Sequence, residues 1–245
     1  MSRASRSIRL SRRRLLTAGA AAAAVTAIPG AGVVPPGGYG SGSLTPWRSL
    51  TRSISPAAQI QDVVEADGLF LFGDSIAVQD EDALAFDLWR RTSTTLAVDA
   101  WAGRPTGPAV DVLARWAKTY GLPHRILMAT GTNDVFTPPL FGGQIDRVMR
   151  LAGPSRAVYW VNVHVGRFKD STAIQTADQR NTKWINLQLD TARKRYPNLV
   201  IIRWAEFLAA RPDQVRTYLR DGVHTTIPVG QDARNALIVD AIASA

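Results

Sequence analysis

The 245-residue chain carries 29 Lys and Arg against 20 Asp and Glu, but six of the arginines (Arg3, Arg6, Arg9, Arg12, Arg13 and Arg14) crowd its extreme N-terminus, so the rest of the formal +9 charge is small and scattered among acids. That distribution argues against a nucleic-acid binder, which needs a clustered basic face, and leaves only weak attraction to an anionic surface such as a cell wall. Cysteine is absent, so a core rather than disulfides must hold the fold, and 46% hydrophobic residues with seven tryptophans suffice for one domain.

Residues 1–31 have the layout of a secretory signal: arginines without acids, an alanine-rich apolar stretch over 18–28, then small residues. Arg12, Arg13 and Arg14 followed by Leu15 and Leu16 point to the twin-arginine route. The apolar stretch is shorter than the roughly 20 residues of a bilayer span. Cleavage after Ala27 or Ala31 would leave no stable membrane span and a secreted or wall-associated protein.

Residues 32–59 are rich in Gly, Pro and Ser and read as an arm, with Trp47, Leu50 and Ile54 able to pack onto the domain expected over 60–245. Within that domain, short apolar runs at 68–72, 95–98, 125–129, 157–163 and 199–203 have the composition of buried strands. Helical spacing follows them at 80–91, 108–120, 143–151, 172–196 and 230–243. Strand then helix, repeated, predicts an α/β fold with a parallel sheet between helical layers.

Ligands of such sheets bind at the carboxyl ends of the strands. Gly73, Asp74 and Ser75 directly follow the first run, Gly103 lies beyond the second, and Gly131, Thr132, Asn133 and Asp134 follow the third. Ser75 is a candidate nucleophile whose own amide could hold an oxyanion, although Asp74 or Ser75 could equally cap the next helix. Gly103 could present an unobstructed amide or simply form a turn, and Asn133 could donate a neutral carboxamide hydrogen bond or stabilise its own loop. Asp221 stands three residues before His224, a spacing at which a carboxylate could orient the ring while its other nitrogen takes a proton. His164 reads as a core or rim residue and His124 as a surface one. One histidine among carboxylates, without cysteine, is a poor zinc site. Trp101, Phe136, Phe141 and Arg167 could line the cleft or merely pack, and Arg104 could meet a carboxylate, a sugar or solvent.

Taken together, the four blocks resemble the SGNH hydrolase superfamily, the GDSL esterases and lipases, over roughly residues 68–240. The resemblance implies a three-layer α/β/α sandwich with a flavodoxin-like sheet, Ser75 as nucleophile, His224 as base and Asp221 as its orienting acid. It further implies an oxyanion hole from the Ser75 amide, the Gly103 amide and the Asn133 side chain, with no cofactor and no metal. Val98, Asp99 and Ala100 with Gly103 and Arg104, the run 158–163, and Asp221 to His224 also resemble the exported domains of cell-wall O-acetyltransferases. The expected function is therefore hydrolysis of short acyl or acetyl esters of a small molecule or polysaccharide. The alternatives are acyl transfer to a cell-wall glycan and non-catalytic wall binding.

Overall fold

The computed structural model describes residues 38–244; the expected leader at 1–31 lies outside the described residues. Six strands, Arg52–Ile54 (β1), Leu69–Gly73 (β2), Leu96–Trp101 (β3), Arg125–Ala129 (β4), Ala157–Val161 (β5) and Leu199–Ile202 (β6), form one sheet in the order β1-β3-β2-β4-β5-β6. The helices are Ala57–Glu65 (α1), Ser75–Thr92 (α2), Thr106–Thr119 (α3), Phe141–Ala152 (α4), Thr172–Arg195 (α5), Trp204–Ala209 (α6), Val215–Tyr218 (α7) and Val229–Ala243 (α8).

The strands from β2 to β6 are parallel and, set apart from β1, follow the flavodoxin-like order. Successive residues of a strand face opposite sides of the sheet, and both sides are covered here. Phe70, Phe72, Ile126, Met128 and Trp160 join one core with side chains of α1, α3, α4 and α5. Leu69, Leu71, Leu127, Tyr159 and Val161 join a second core with α2, α6 and α8. This is why the strand sequences are apolar throughout instead of alternating.

The sheet departs from the wholly parallel expectation at one edge. β1 runs antiparallel to β3, with Arg52 opposite Trp101 and Ile54 opposite Asp99, and it comes from residues expected to form the arm. A three-residue strand with exposed ends has no apolar signature; its pairing is supplied by the open backbone edge of β3, which it covers. α1 then begins at Ala57, and its Ile60 and Val63 are buried. The sequence also placed the first domain helix too late, at 80, whereas α2 starts at Ser75 itself.

The centre of one core is an aromatic cluster in which Phe72 meets Trp116 edge-on with centroids 5.1 Å apart, and Phe70 meets the same indole at 4.9 Å. Phe72 is fully buried. Phe72→Ala is expected to lower the unfolding free energy by about 3–5 kcal/mol, measured by urea denaturation; a loss below about 1 kcal/mol would mean that the cluster collapses into the vacated space.

Candidate active site

The register of the central strands assembles the site. Gly73 stands opposite Ala100 of β3 and Ala129 of β4, so the three loops that follow leave the sheet at one level. Between β2 and α2 there is a single residue, Asp74, whose Oδ1 accepts from the Ile76 amide and caps the helix. Ser75 is therefore the first helical residue, and its amide is one of those a helix leaves without an internal partner. The capping reading of this tripeptide is satisfied by Asp74, which leaves the Ser75 side chain outside the cap.

His224 reaches Ser75 from a distant loop. Its Nε2 lies 2.9 Å from Ser75 Oγ, and its Nδ1 lies 2.8 Å from Asp221 Oδ2. With Nδ1–H donating to the carboxylate, Nε2 is left to accept from the serine hydroxyl. The amides of Val223 and His224 both donate to Asp221 Oδ1, at 2.9 and 2.8 Å, so the carboxylate folds its own loop as well as holding the ring. Burial would raise the Asp221 carboxyl, but these amides and the ring outweigh it and keep the group below the usual carboxylate range. Asp221, His224 and Ser75 thus form one continuous hydrogen-bonded line.

Two further contacts keep the His224 loop in place. Gly222, at φ +92°, lies so close to Gly166 that an added Cβ would stand 2.1 Å from the Gly166 carbonyl oxygen, which makes glycine obligatory. Thr225, the neighbour of His224, donates to buried Asp80 of α2 at 3.0 Å and is joined by Gln79 Nε2 at 2.6 Å. Asp80 also accepts from Gln231 of α8 at 3.3 Å and lies 3.7 Å from the guanidinium of Arg234. The helix α2 and the His224 loop are consequently clamped to each other.

Two of the expected oxyanion donors, Gly103 and Asn133, adjoin Arg104. Gly103 takes φ +72°, and the Asn133 carboxamide donates to the Arg104 carbonyl at 3.3 Å. The sequence leaves the role of Arg104 open, and the structure gives it one. It is 1% exposed, ion-paired to the Asp99 carboxylate, and donates to the Gly73 carbonyl at 2.8 Å. The β2–α2 turn and the Gly103 loop are thereby tied by one guanidinium. Only the pairing of a buried Asp with a buried Arg five residues on could have signalled it.

Asp134 makes the next link. Its Oδ2 accepts from the Thr106 amide at 3.0 Å and the Thr106 hydroxyl at 2.8 Å, anchoring the start of α3 to the Asn133 loop. Burial pushes its carboxyl up to about 6. Of the other candidates, Phe141 is buried in the core against Trp160 at 5.4 Å and does not line the cleft. Arg167 is committed to Asp178, at 2.6 and 2.8 Å, with its Cζ 5.6 Å from the centroid of the Phe136 ring. His164 is half-buried and held below the usual imidazole range by desolvation, while His124 is exposed beside Asp67.

No family model and no curated protein matches the sequence. Solved structures do match. The C-terminal catalytic domain of peptidoglycan O-acetyltransferase A from Streptococcus pneumoniae aligns at 19% identity and TM-score 0.55, over 73% of this chain and 92% of that one. A GDSL-like lipase from Bacteroides thetaiotaomicron aligns at 18% and 0.59, over 77% and 91%, and a lipase/acylhydrolase from Enterococcus faecalis at 19% and 0.56, over 72% and 95%. The fold is that of the SGNH/GDSL hydrolases. In this SGNH fold, the loops after β2, β3 and β4 bring Ser75, Gly103 and Asn133 to one edge, and the loop before α8 brings Asp221 and His224.

Asp134 gives the SGNH domain a pH signature. Its folded carboxyl titrates near 6 against the usual 3.8, so between those values the folded state holds a proton that the unfolded chain has lost, and stability falls as pH rises through the window. Asp134→Asn keeps an acceptor for Thr106 but removes the titration. Relative to the parent it is expected to gain about 2 kcal/mol between pH 4 and pH 7, read from denaturant unfolding at each pH; parallel profiles would refute the raised carboxyl. Arg104→Met strands the Asp99 carboxylate and the Gly73 carbonyl, and is expected to cost about 3–5 kcal/mol in the same assay. Adding Asp99→Leu should recover part of that loss, and further destabilisation instead would show that the ion pair is not the governing contact.

Proposed function

We propose that this protein is an exported serine esterase that hydrolyses short acyl esters, acetyl groups on glycans foremost, by an acyl-enzyme route. The observation that carries the reading is the line Asp221–His224–Ser75, with separations of 2.8 and 2.9 Å, at the carboxyl edge of an SGNH-type sheet. His224 Nε2 takes the proton of Ser75 as its Oγ attacks the ester carbonyl. The Asp221 carboxylate stabilises the imidazolium that forms.

Charge that develops on the carbonyl oxygen is held by the Ser75 amide, the Gly103 amide and the Asn133 carboxamide, three neutral donors that require no proton transfer. The protonated ring then delivers its proton to the departing alcohol, and a water activated by the same nitrogen releases the acid and restores Ser75. Export rests on the leader at 1–31, with its paired arginines and apolar stretch. Among the described residues no helix is long and apolar enough to cross a membrane.

A second reading, transfer of the acyl group to a glycan hydroxyl, is favoured by the likeness to the peptidoglycan O-acetyltransferase domain, 92% of which is covered. Both readings share the acyl-enzyme and part at its acceptor.

The test is fluorophosphonate labelling of the protein without its leader, beside p-nitrophenyl acetate turnover. The parent is expected to label, and Ser75→Ala to lose labelling and at least about 10⁴-fold in kcat. A folded parent that neither labels nor turns over ester would sink the reading. With a glycan oligosaccharide present, free acetate is expected to exceed acetylated glycan; the opposite ratio selects the transferase.

A further inference from the structure

The segment between residues 39 and 50 is tied down at both ends beside the two oxyanion loops. At its start, the Tyr39 carbonyl accepts from Asn181 Nδ2 at 2.9 Å and from Arg180, and the Ser41 carbonyl accepts from Arg167 at 2.6 Å. The same Asn181 amide donates to the Ser41 hydroxyl at 2.9 Å and to the Val135 carbonyl at 2.8 Å, two residues beyond Asn133. Ser41 is fully buried, and Gly40 approaches α5 so closely that a Cβ would stand 2.9 Å from that of Ala177.

At its other end the segment covers Gly103. A Cβ built on Gly103 would lie 3.2 Å from Trp47 Cβ and 3.2 Å from Leu50 Cδ1. The Trp47 ring rests edge-on against Trp101 at 5.2 Å, with the Arg48 guanidinium 4.7 Å over it. From Ser41 to Trp47 the chain can reach at most about 20 Å, so it must pass directly from the Asn133 loop to the Gly103 loop. Leu44 stands midway and is part-exposed, as an apolar residue available for contact would be.

We infer that residues 41–47 are the wall of the acyl-group site and set its length, with Trp47 and Leu44 meeting the end of the acyl chain. The inference rests on the proposed ester chemistry. The alcohol oxygen of the tetrahedral intermediate must stand at His224 Nε2, its proton donor, and the oxyanion at the three neutral donors. His224 is held from the α2 and α8 side through Thr225, Asp80 and Gln231. The acyl substituent takes the remaining direction, away from His224, toward the side of α5 and the Gly103 loop where the segment is anchored. A wall tied at both ends, bearing an indole already set edge-on against Trp101, suits acetyl and excludes long chains.

The experiment is a ladder of p-nitrophenyl esters from acetyl to octanoyl, read as kcat/KM for the parent, Trp47→Ala, Leu44→Gly and Trp47→Phe. The ratio of hexanoyl to acetyl kcat/KM is expected to rise at least ~10-fold in Trp47→Ala or Leu44→Gly, the discrimination of about one methylene in a closed apolar pocket, and to stay near the parent value in Trp47→Phe. Because the readout is a ratio within one protein, partial loss of folded enzyme cancels. A labelled, active parent whose ratio moves less than about twofold in both truncations overturns the wall and leaves the esterase reading intact. A parent that neither labels nor hydrolyses any member of the ladder overturns the esterase reading and the wall with it.

Discussion

The site depends on how abruptly β2 becomes α2. A Cβ on Gly73 would stand 2.1 Å from Ala77 Cβ, so only glycine lets the helix fold back against the end of the strand with one residue between them. That turn aims the first helical amides, and Ser75 with them, out of the sheet edge. Its carbonyl is then fixed by Arg104 at 2.8 Å, which joins the turn to the glycine loop, and Asn133 donates to the Arg104 carbonyl in turn. A change in the turn would therefore displace Ser75, Gly103 and Asn133 together.

The carboxyl edge is also where the molecule buries charge. Asp74, Asp80, Asp99, Asp134, Arg104 and Arg234 are each at most 4% exposed. Burying such groups is costly, and apolar replacements of similar shape are commonly as stable. Their placement is informative: Asp80 and Arg234 stand behind the His224 loop, Asp99 and Arg104 behind Gly103, Asp134 behind Asn133. Directional ion pairs and hydrogen bonds hold loops at fixed angles, which apolar contacts of equal energy do not do. The stability lost to desolvation is exchanged for loops with little freedom.

These contacts also explain what could be read from the sequence. The five parallel strands were legible because both faces are covered and their apolar runs are unbroken, and three of the four candidate blocks because they follow such runs. The strand β1 was not, since three residues with exposed ends carry no period. Residues 39–47 read as a loose arm because Gly, Pro and Ser describe local freedom only; the groups that hold them, Arg167 and Asn181, are 126 and 142 positions away along the chain. The pairing of Arg104 with Asp99 is local, but nothing in its spacing distinguishes a buried positioning contact from a solvated one. Local chemistry was visible and long-range restraint was not.

Restraint is uneven around the proposed acyl-enzyme, and this bears on its acceptor. The Gly103 and Asn133 loops are held by buried groups, whereas the side chains of His224 and Asp221 are 26% and 41% exposed. The imidazole is therefore only partly covered by protein, and the proposed hydrolysis needs no acceptor site beyond it. A transferase must instead keep water from that nitrogen until a sugar hydroxyl arrives, which calls for an acceptor that itself covers the His224 loop. With residues 41–47 as the inferred acyl wall, the proposed esterase selects the group it removes and needs no dedicated site for its acceptor, water.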